Sequence, residues 1–443
     1  MKRNHILIGI LFALLQGAAY GQEPVGDGWD LNRCISYALD NSIQVSKVKL
    51  DVLSSQSNLT RAKASRLPSL SASVAQNVSN SKYFSTPTAD GEWDMSASTS
   101  ASLSSSLTLY NGGNINASIK QSALNVELAE LNVDISKNSI VLLVTQGYLN
   151  ALYSNESLGY AKEVLASSEK QLTRATELHR AGSMAKSDLA QIEAQYANDT
   201  YSLVVAQSSL VTSITELKQL LEIPVTDTFS VAFPQVEVQR EFLQVPSKHE
   251  AFATALSIMP EIKGVEKSKA IASLDLDKAK SGYLPSLTLN ASYATSYSDA
   301  SSGSFGTQLT NNQNQRVGLT LSIPIFSKYQ TKNAVELSRI SIDRANLTAQ
   351  ETQKNLLQKV ETVYQNVISG KSRYDAAVQQ NLSAAESYRL SEEQFNLGMI
   401  NTVELLKAKT QLLSAQKDLV QAKYSLILNK KILDFYMGQQ ISL

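Results

Sequence analysis

The sequence predicts a mainly α-helical chain with one β-hairpin per repeat, assembled from two tandem copies of one unit. Three observations carry this reading. Residues 174–196, RATELHRAGSMAKSDLAQIEAQY, align with residues 390–412, LSEEQFNLGMINTVELLKAKTQL, at a constant offset of 216. Gly182 then pairs with Gly398, Glu177 with Glu393, Asp188 with Glu404, Leu189 with Leu405 and Gln195 with Gln411. Ahead of each of these stretches runs a proline-free helical pattern of about 65 residues, or roughly 100 Å at 1.5 Å per residue. Ahead of each helix the hydrophobic period switches from about 3.6 to 2.

Composition bounds the possibilities. The chain has 443 residues, 40 basic and 40 acidic, so its formal net charge is zero and nothing points to nucleic acid. The start, MKRNHILIGILFALLQGAAYGQ, has a basic end, an apolar run and small residues, which predicts a secretory signal peptide over residues 1–21. Loss of Lys2 and Arg3 leaves 38 basic against 40 acidic residues, a charge near −2. No later apolar run of about 18 residues predicts a membrane-spanning helix. Cys34 is the only cysteine, so no internal disulfide can form, and it reads as a small buried apolar residue.

In order, residues 29–66 predict one helix, with Leu31, Ile35, Ala38, Leu39, Val45, Val48 and Val52 on one face, ending at RLPSL where Pro68 forbids continuation. Residues 69–78 alternate. A polar loop is predicted over 81–94. Beyond it Ser96, Ser98, Ser100, Ser102, Ser104 and Ser106 take one face, and Met95, Ala97, Ala101, Leu103, Leu107 and Leu109 the other. This hairpin, 69–110, has arms of roughly 10–14 residues, the length of a tilted membrane-crossing strand. A helix follows over about 114–179. After the turn at Gly182 a returning helix runs to about 222, with Leu189, Tyr196, Leu203, Leu210 and Leu217 in a heptad that implies supercoiling. Residues 223–246 hold three of the nine prolines and predict a linker with short strands. The second copy then gives a helix over 248–282 ending in YLPSL and a hairpin over 286–326. A Gly, Ser, Asn and Gln-rich loop lies at 299–315 and a strand at 317–325. A long helix covers about 330–396, Gly398 makes a turn, and a helix capped by Thr402 carries Leu405, Leu412, Leu419, Leu426 and Leu433. The predicted repeats are thus 22–225 and 226–443.

Four strands per chain, apolar on one face, cannot sit in lipid as an open sheet, because edge backbone groups would go unpaired. A closed barrel needs about eight strands or more, so several chains must contribute; three would give twelve.

The ordered elements resemble the TolC family of outer-membrane efflux channels over about residues 29–438. The carriers are the duplicated LPSL, the strand exits SLTLYNGG (106–113) and LSIPIFSKY (321–329), the two turns, and the tail AQKDLVQAKYSLILNKKIL (415–433). The resemblance implies a homotrimer: a 12-stranded outer-membrane β-barrel continued by a long periplasmic α-helical barrel, in a Gram-negative bacterium. It implies passive conduction from an inner-membrane pump, of resistance-nodulation-division or ABC type, through a periplasmic adaptor (membrane fusion protein) to the outside. Ser98, Ser100, Ser102 and Ser104 would line the lumen. Leu103, Leu107, Leu287, Leu289, Leu319 and Leu321 would meet outer-membrane lipid. Ala181, Gly182, Ser183, Leu397, Gly398 and Met399 would form the adaptor-docking tips. Asp188, Glu404 and Lys407 would lie at the entrance constriction, where a ring of like charge favours cations. The acidic residues serve equally to complement a helix dipole. Phe395, Ile400 and Lys407 depart from the family pattern, where a Tyr, an Arg and a second acid are common, which implies either closing interactions built differently or an entrance that rests on packing alone.

No catalytic or metal-binding constellation, and no cofactor, is predicted. His5 leaves with the signal, His179 adjoins one turn and His249 begins a helix, without ligand spacing. Asn111-Gly112-Gly113 is a strand-to-helix turn rather than a phosphate cradle. Two other classes compete. A secreted coiled-coil or adhesin-like fibre would leave the lipid-compatible strands unexplained. A periplasmic adaptor would carry one hairpin inside lipoyl-like and barrel domains, and this chain has two hairpins and no such domains.

Overall fold

The computed structural model describes residues 28–83, 91–238 and 245–442. The predicted signal peptide, part of the loop predicted over 81–94 and part of the linker lie outside them. Among the described residues are nine helices and four strands.

The two longest helices, α3 (Asn114–Arg180) and α8 (Gln330–Asn396), have 67 residues each. At 1.5 Å per residue each spans roughly 100 Å. Each turns back into a 35-residue partner, α4 (Lys186–Leu220) and α9 (Thr402–Tyr436). All four pairs of helix ends in these hairpins differ by the offset of 216 read in the sequence.

Two shorter helices precede each hairpin, where the sequence predicted one. The helix expected over 29–66 is α1 (Leu31–Asn41) and α2 (Ile43–Ala64). Ser42 leaves the helical region and its hydroxyl accepts from the Val45 N–H at 3.3 Å, capping α2. The helix expected over 248–282 is α5 (Lys248–Ile258) and α6 (Pro260–Ser281). Met259 precedes proline, so it is held extended and Pro260 starts a new helix, where its missing N–H costs nothing. Both breaks are local steric or hydrogen-bond effects that leave the apolar period intact on either side, which is why periodicity passed over them.

Strands β1 (Ser69–Tyr83), β2 (Glu92–Asn111), β3 (Ser286–Ser298) and β4 (Asn314–Ser322) form one antiparallel sheet in the order β1-β2-β3-β4. The first hairpin is longer than expected, with 15 and 20 residues in its strands. Polar residues such as Asn80 and Ser81 continue the ladder because neither face needs a packed core there. The register shifts between Thr108 and Tyr110, so Leu109 is the extra residue of a bulge and not a continuation of the Leu107 face. Strand β4 ends at Ser322 and not near 325, consistent with Pro324, which has no N–H to give a ladder. The loop expected over 299–315 contains helix α7 (Phe305–Asn311). The Gln308 side chain, buried, holds α7 down by accepting from the Ser298 N–H and donating to the Ser298, Ser301 and Gly303 carbonyls. In the linker no strand forms among the described residues; a single parallel bridge joins Val231 to Trp29. Gly28 allows that approach, since a Cβ there would sit 2.5 Å from the backbone of Val231 and Ala232.

The core has two parts. One gathers Leu31, Cys34, Ala38 and Val45 from α1 and α2 against Val144, Tyr148 and Leu152 of α3, with Val420, Tyr424 and Ile427 of α9. The other gathers Ala251, Ala255 and Met259 around Val360 and Val367 of α8, with Leu426 and Leu433 of α9. Helix α9 therefore buries two stripes. The heptad leucines face α8, and a second stripe through Val420, Tyr424 and Ile427 faces α3. Cys34 is fully buried, as its sequence context suggested, and burial pushes its thiol up to about 12.

Candidate functional site

Both hairpin turns close with the same backbone pattern. At the first, the Gly182 N–H donates to the His179 carbonyl at 3.0 Å and Ser183 N–H to Leu178 at 2.9 Å. At the second, Gly398 N–H donates to Phe395 at 3.0 Å and Met399 N–H to Gln394 at 2.9 Å. This is a Schellman termination, and its left-handed residue is glycine in both, at φ +76° and +72°. Side chains with a Cβ strain at such φ values even though nothing lies within 4 Å of either position.

The tips differ in what they present. Leu397 and Met399 are 75% and 69% exposed, and Val403 beside them is exposed as well, so the second tip shows bare apolar surface. Ala181 and Ser183 at the first tip are exposed but small. His179 folds back there, its Nδ1 lying 2.9 Å from the Met184 carbonyl oxygen.

The expected cap of α9 is corrected. Thr402 is buried inside the first turn, and Asn401 is the cap, its side chain accepting from the Glu404 N–H at 2.9 Å. Asn outranks Thr at this position because its carbonyl reaches the orphan amide without a β-branch. Ala185 precedes helix α4 at the cap position and offers no capping side chain; Asp188 stands in the first turn. Glu404 and Lys407 are exposed, while Asp188, Phe395 and Ile400 are half-buried.

Above the tips lie polar links between the two hairpins that sequence reasoning missed. Lys409 of α9 reaches Asp199 of α4 at 3.0 Å, with both side chains 4% exposed. The Ser168 hydroxyl of α3 joins them, accepting from Lys409 and donating to Asp199. Gln195 donates to the second Asp199 oxygen at 2.9 Å. Nearer the tip, Tyr388 of α8 meets Gln171 and Ser167 of α3, and Arg174 donates to the Asn396 carbonyl at 3.5 Å. Toward the other end, Glu156 of α3 accepts from Lys423 and from the Tyr424 hydroxyl, each at 2.8 Å. Burial and that carboxylate raise the Tyr424 phenol well above its ordinary value. One signal in the sequence could have found the first link. Asp199 occupies a seam position of the heptad where the other copy has Ala415, and Lys409 matches Glu193.

The sheet separates its faces cleanly. Register puts Ser71, Ser104, Ser292 and Arg316 in one row, with Ser69, Ser106, Asn290 and Gly318 beside it. Ser98, Ser100, Ser102 and Ser104 share this polar face. Leu107, Leu289 and Leu319 form a row on the opposite face, with Leu103 paired to Tyr293 and Leu287 paired to Leu321. Leu103, Leu319 and Leu321 are exposed, as are Leu70, Val74 and Val78 of β1 on the same face. Among the described residues the outer edges of β1 and β4 have no strand beside them, and α7 packs against β3. Among the described residues no helix is long and apolar enough to cross a membrane, and no group of three His, Cys, Asp or Glu is arranged to hold a metal.

A family model described as outer membrane efflux protein matches residues 34–221 and 253–439, two segments that together take in both helical hairpins. The outer membrane protein TolC of Escherichia coli K12 is 24% identical over 347 residues, covering 76% of this chain and 68% of that protein. Among solved structures, that of CusC superposes with a TM-score of 0.81 at 17% identity, covering 93% of this chain and 92% of the other. The Campylobacter jejuni CmeC outer membrane channel superposes with a TM-score of 0.79 at 19% identity, covering 93% and 87%.

Proposed function

The chain belongs to the outer membrane efflux protein family, and on that premise we propose that it is the outer-membrane exit duct of a tripartite efflux or type I secretion system. It is an outer-membrane protein of a Gram-negative bacterium with a large helical part in the periplasm. The duct conducts substrate passively, without catalysis, from an inner-membrane pump through a periplasmic adaptor.

The observation that carries this reading is the sheet. One face is serine-rich and the other leucine-rich, with Leu103, Leu319 and Leu321 exposed and Leu107, Leu287 and Leu289 half-buried, and among the described residues two edges are open. In water the leucine face would be unfavourable at roughly 25 cal/mol per Å². In lipid the open edges would each leave a row of backbone groups unpaired. Joining β4 of one chain to β1 of the next satisfies both conditions at once. Three chains then close twelve strands around a lumen lined by the serine face. The helices carry a matching demand: Tyr201, Val204 and Val211 on α4 and Leu337 and Leu347 on α8 are exposed apolar residues that neighbouring chains would cover.

At the far end the two tips of each chain dock the adaptor, with Leu397 and Met399 supplying the apolar contact. Asp188 and Glu404 line the entrance, where charges of one sign concentrate counter-ions. The test is direct. The purified protein should migrate as a detergent-stable trimer and open channels in planar bilayers, and a monomer without conductance would overturn the reading.

A further inference from the structure

The polar wall of the sheet is almost free of charge, and its one exception near mid-height is Arg316. Strands β1, β3 and β4 contain no Asp or Glu, and in β2 the only acids are Glu92 and Asp94 at its outer end. Asp94 pairs with Ser81, ten residues beyond Ser104 along the strand, or roughly 34 Å away. Among the described residues no side-chain hydrogen bond or ion pair holds the Arg316 guanidinium, and the residue is exposed.

Its setting is open and rich in donors. Arg316 ends the row Ser71, Ser104, Ser292, and the adjacent row ends at Gly318. A Cβ built on Gly318 meets nothing within 4 Å, so a free floor lies beside the guanidinium. The depression there measures about 370 Å³, with hydroxyls of Ser104, Ser106 and Ser292 and the Asn290 amide around it. The nearest wall of a neighbouring chain would be its β1. Whatever the register of that junction, β1 offers Ser, Asn and Ala on its polar face and no carboxylate to neutralise the arginine.

We propose that Arg316 sets the ionic preference of the barrel section, forming with its symmetry copies a ring that favours anionic groups, carboxylate or phosphate alike. The inference rests on the trimeric-duct reading. Twelve strands spaced 4.8 Å apart and tilted about 40° give a backbone radius of roughly 12 Å. Three guanidinium groups reaching inward from that wall leave no part of the lumen much beyond the Debye length of about 8 Å at physiological salt. The ring is therefore felt across the whole section, and it is unopposed over that height. The duct then has charge of opposite sign at its two ends, acidic at the periplasmic tips and basic within the membrane.

The test uses the full chain in planar bilayers under a KCl gradient. Arg316→Ser should lower the chloride-to-potassium permeability ratio at least about twofold relative to the unmodified protein, and Arg316→Lys should keep it. Trimer migration of both variants should match the parent, since among the described residues the guanidinium has no partner to lose. An unchanged ratio in conducting Arg316→Ser channels overturns the proposal. A parent protein that forms no channel overturns instead the duct reading on which it stands.

Discussion

Lys409 and Asp199 form an ion pair 3.0 Å long between the two helical hairpins of one chain, with both side chains almost fully buried. The other copy has no counterpart at these positions: the residue equivalent to Asp199 is Ala415, on a buried leucine-alanine seam, and the one equivalent to Lys409 is Glu193. Two charges removed from water recover their desolvation cost only when each remaining lone pair and proton is satisfied. Here Ser168 bonds to both members and Gln195 to the carboxylate, so both Asp199 oxygens and two of the three Lys409 protons have partners. A slide of α9 along α3 and α4 would part these buried charges, so the pair opposes it.

Removing one partner should be far worse than removing both. Asp199→Ala leaves a buried lysine charge and should cost roughly 3–5 kcal/mol, while Asp199→Leu with Lys409→Met should lie within about 1–2 kcal/mol of the parent. Chemical denaturation of the detergent-solubilised protein followed by circular dichroism checks this. A single variant as stable as the parent would show that the pair contributes nothing.

At the tips the glycine φ values of +76° and +72° exclude proline, whose ring fixes φ near −65°. Gly182→Pro combined with Gly398→Pro should abolish export in cells while the detergent-stable trimer persists, because each tip is a terminal turn with nothing packed on its Cβ position. Unchanged export would mean that the tips do not dock the adaptor.

Glu404 separates two roles cleanly, since the cap of α9 belongs to Asn401. Glu404→Gln keeps the Asn401 cap and should weaken block of conductance by multivalent cations. Asn401→Ala should leave block unchanged and reduce stability by about 1 kcal/mol. Equal block in Glu404→Gln and the parent would assign Glu404 to the helix dipole alone.

Cys34 gives a pH prediction. Burial raises its thiol from 9.0 to about 12 in the folded chain. In that window the unfolded chain has released this proton and the folded chain retains it, so stability is present below pH 9 and falls as pH rises from 9 toward 12. The thiol should resist maleimide at neutral pH in the folded protein and react on denaturation. Rapid labelling of the folded protein would contradict the burial.

The sequence made the long elements legible because they repeat their own signal many times. The 35-residue helices α4 and α9 repeat a heptad along their length, and the 67-residue helices run without a proline. The strands of the serine row were legible for the same reason, and so were the glycines at both turns. Short decisions were not. The breaks at Ser42 and Met259, helix α7 and the bulge at Leu109 each depend on one or two residues. Ser42 and Met259 act over a few residues and leave the apolar period intact on either side, and Gln308 ties α7 to the end of β3 through bonds that no period announces.

By itself the sequence determined the helical hairpins, their turns, and which strand residues share a face, because these follow from period and backbone sterics along one stretch of chain. Only the tertiary structure decided what crosses between stretches. It gave α9 a second buried stripe, joined Lys409 to Asp199 across 210 residues, and brought Arg316 into line with Ser292, Ser104 and Ser71. Those relationships are set by the packing of whole elements against one another, where a buried charge must find its partner or stay out, and no local pattern encodes which partner that is.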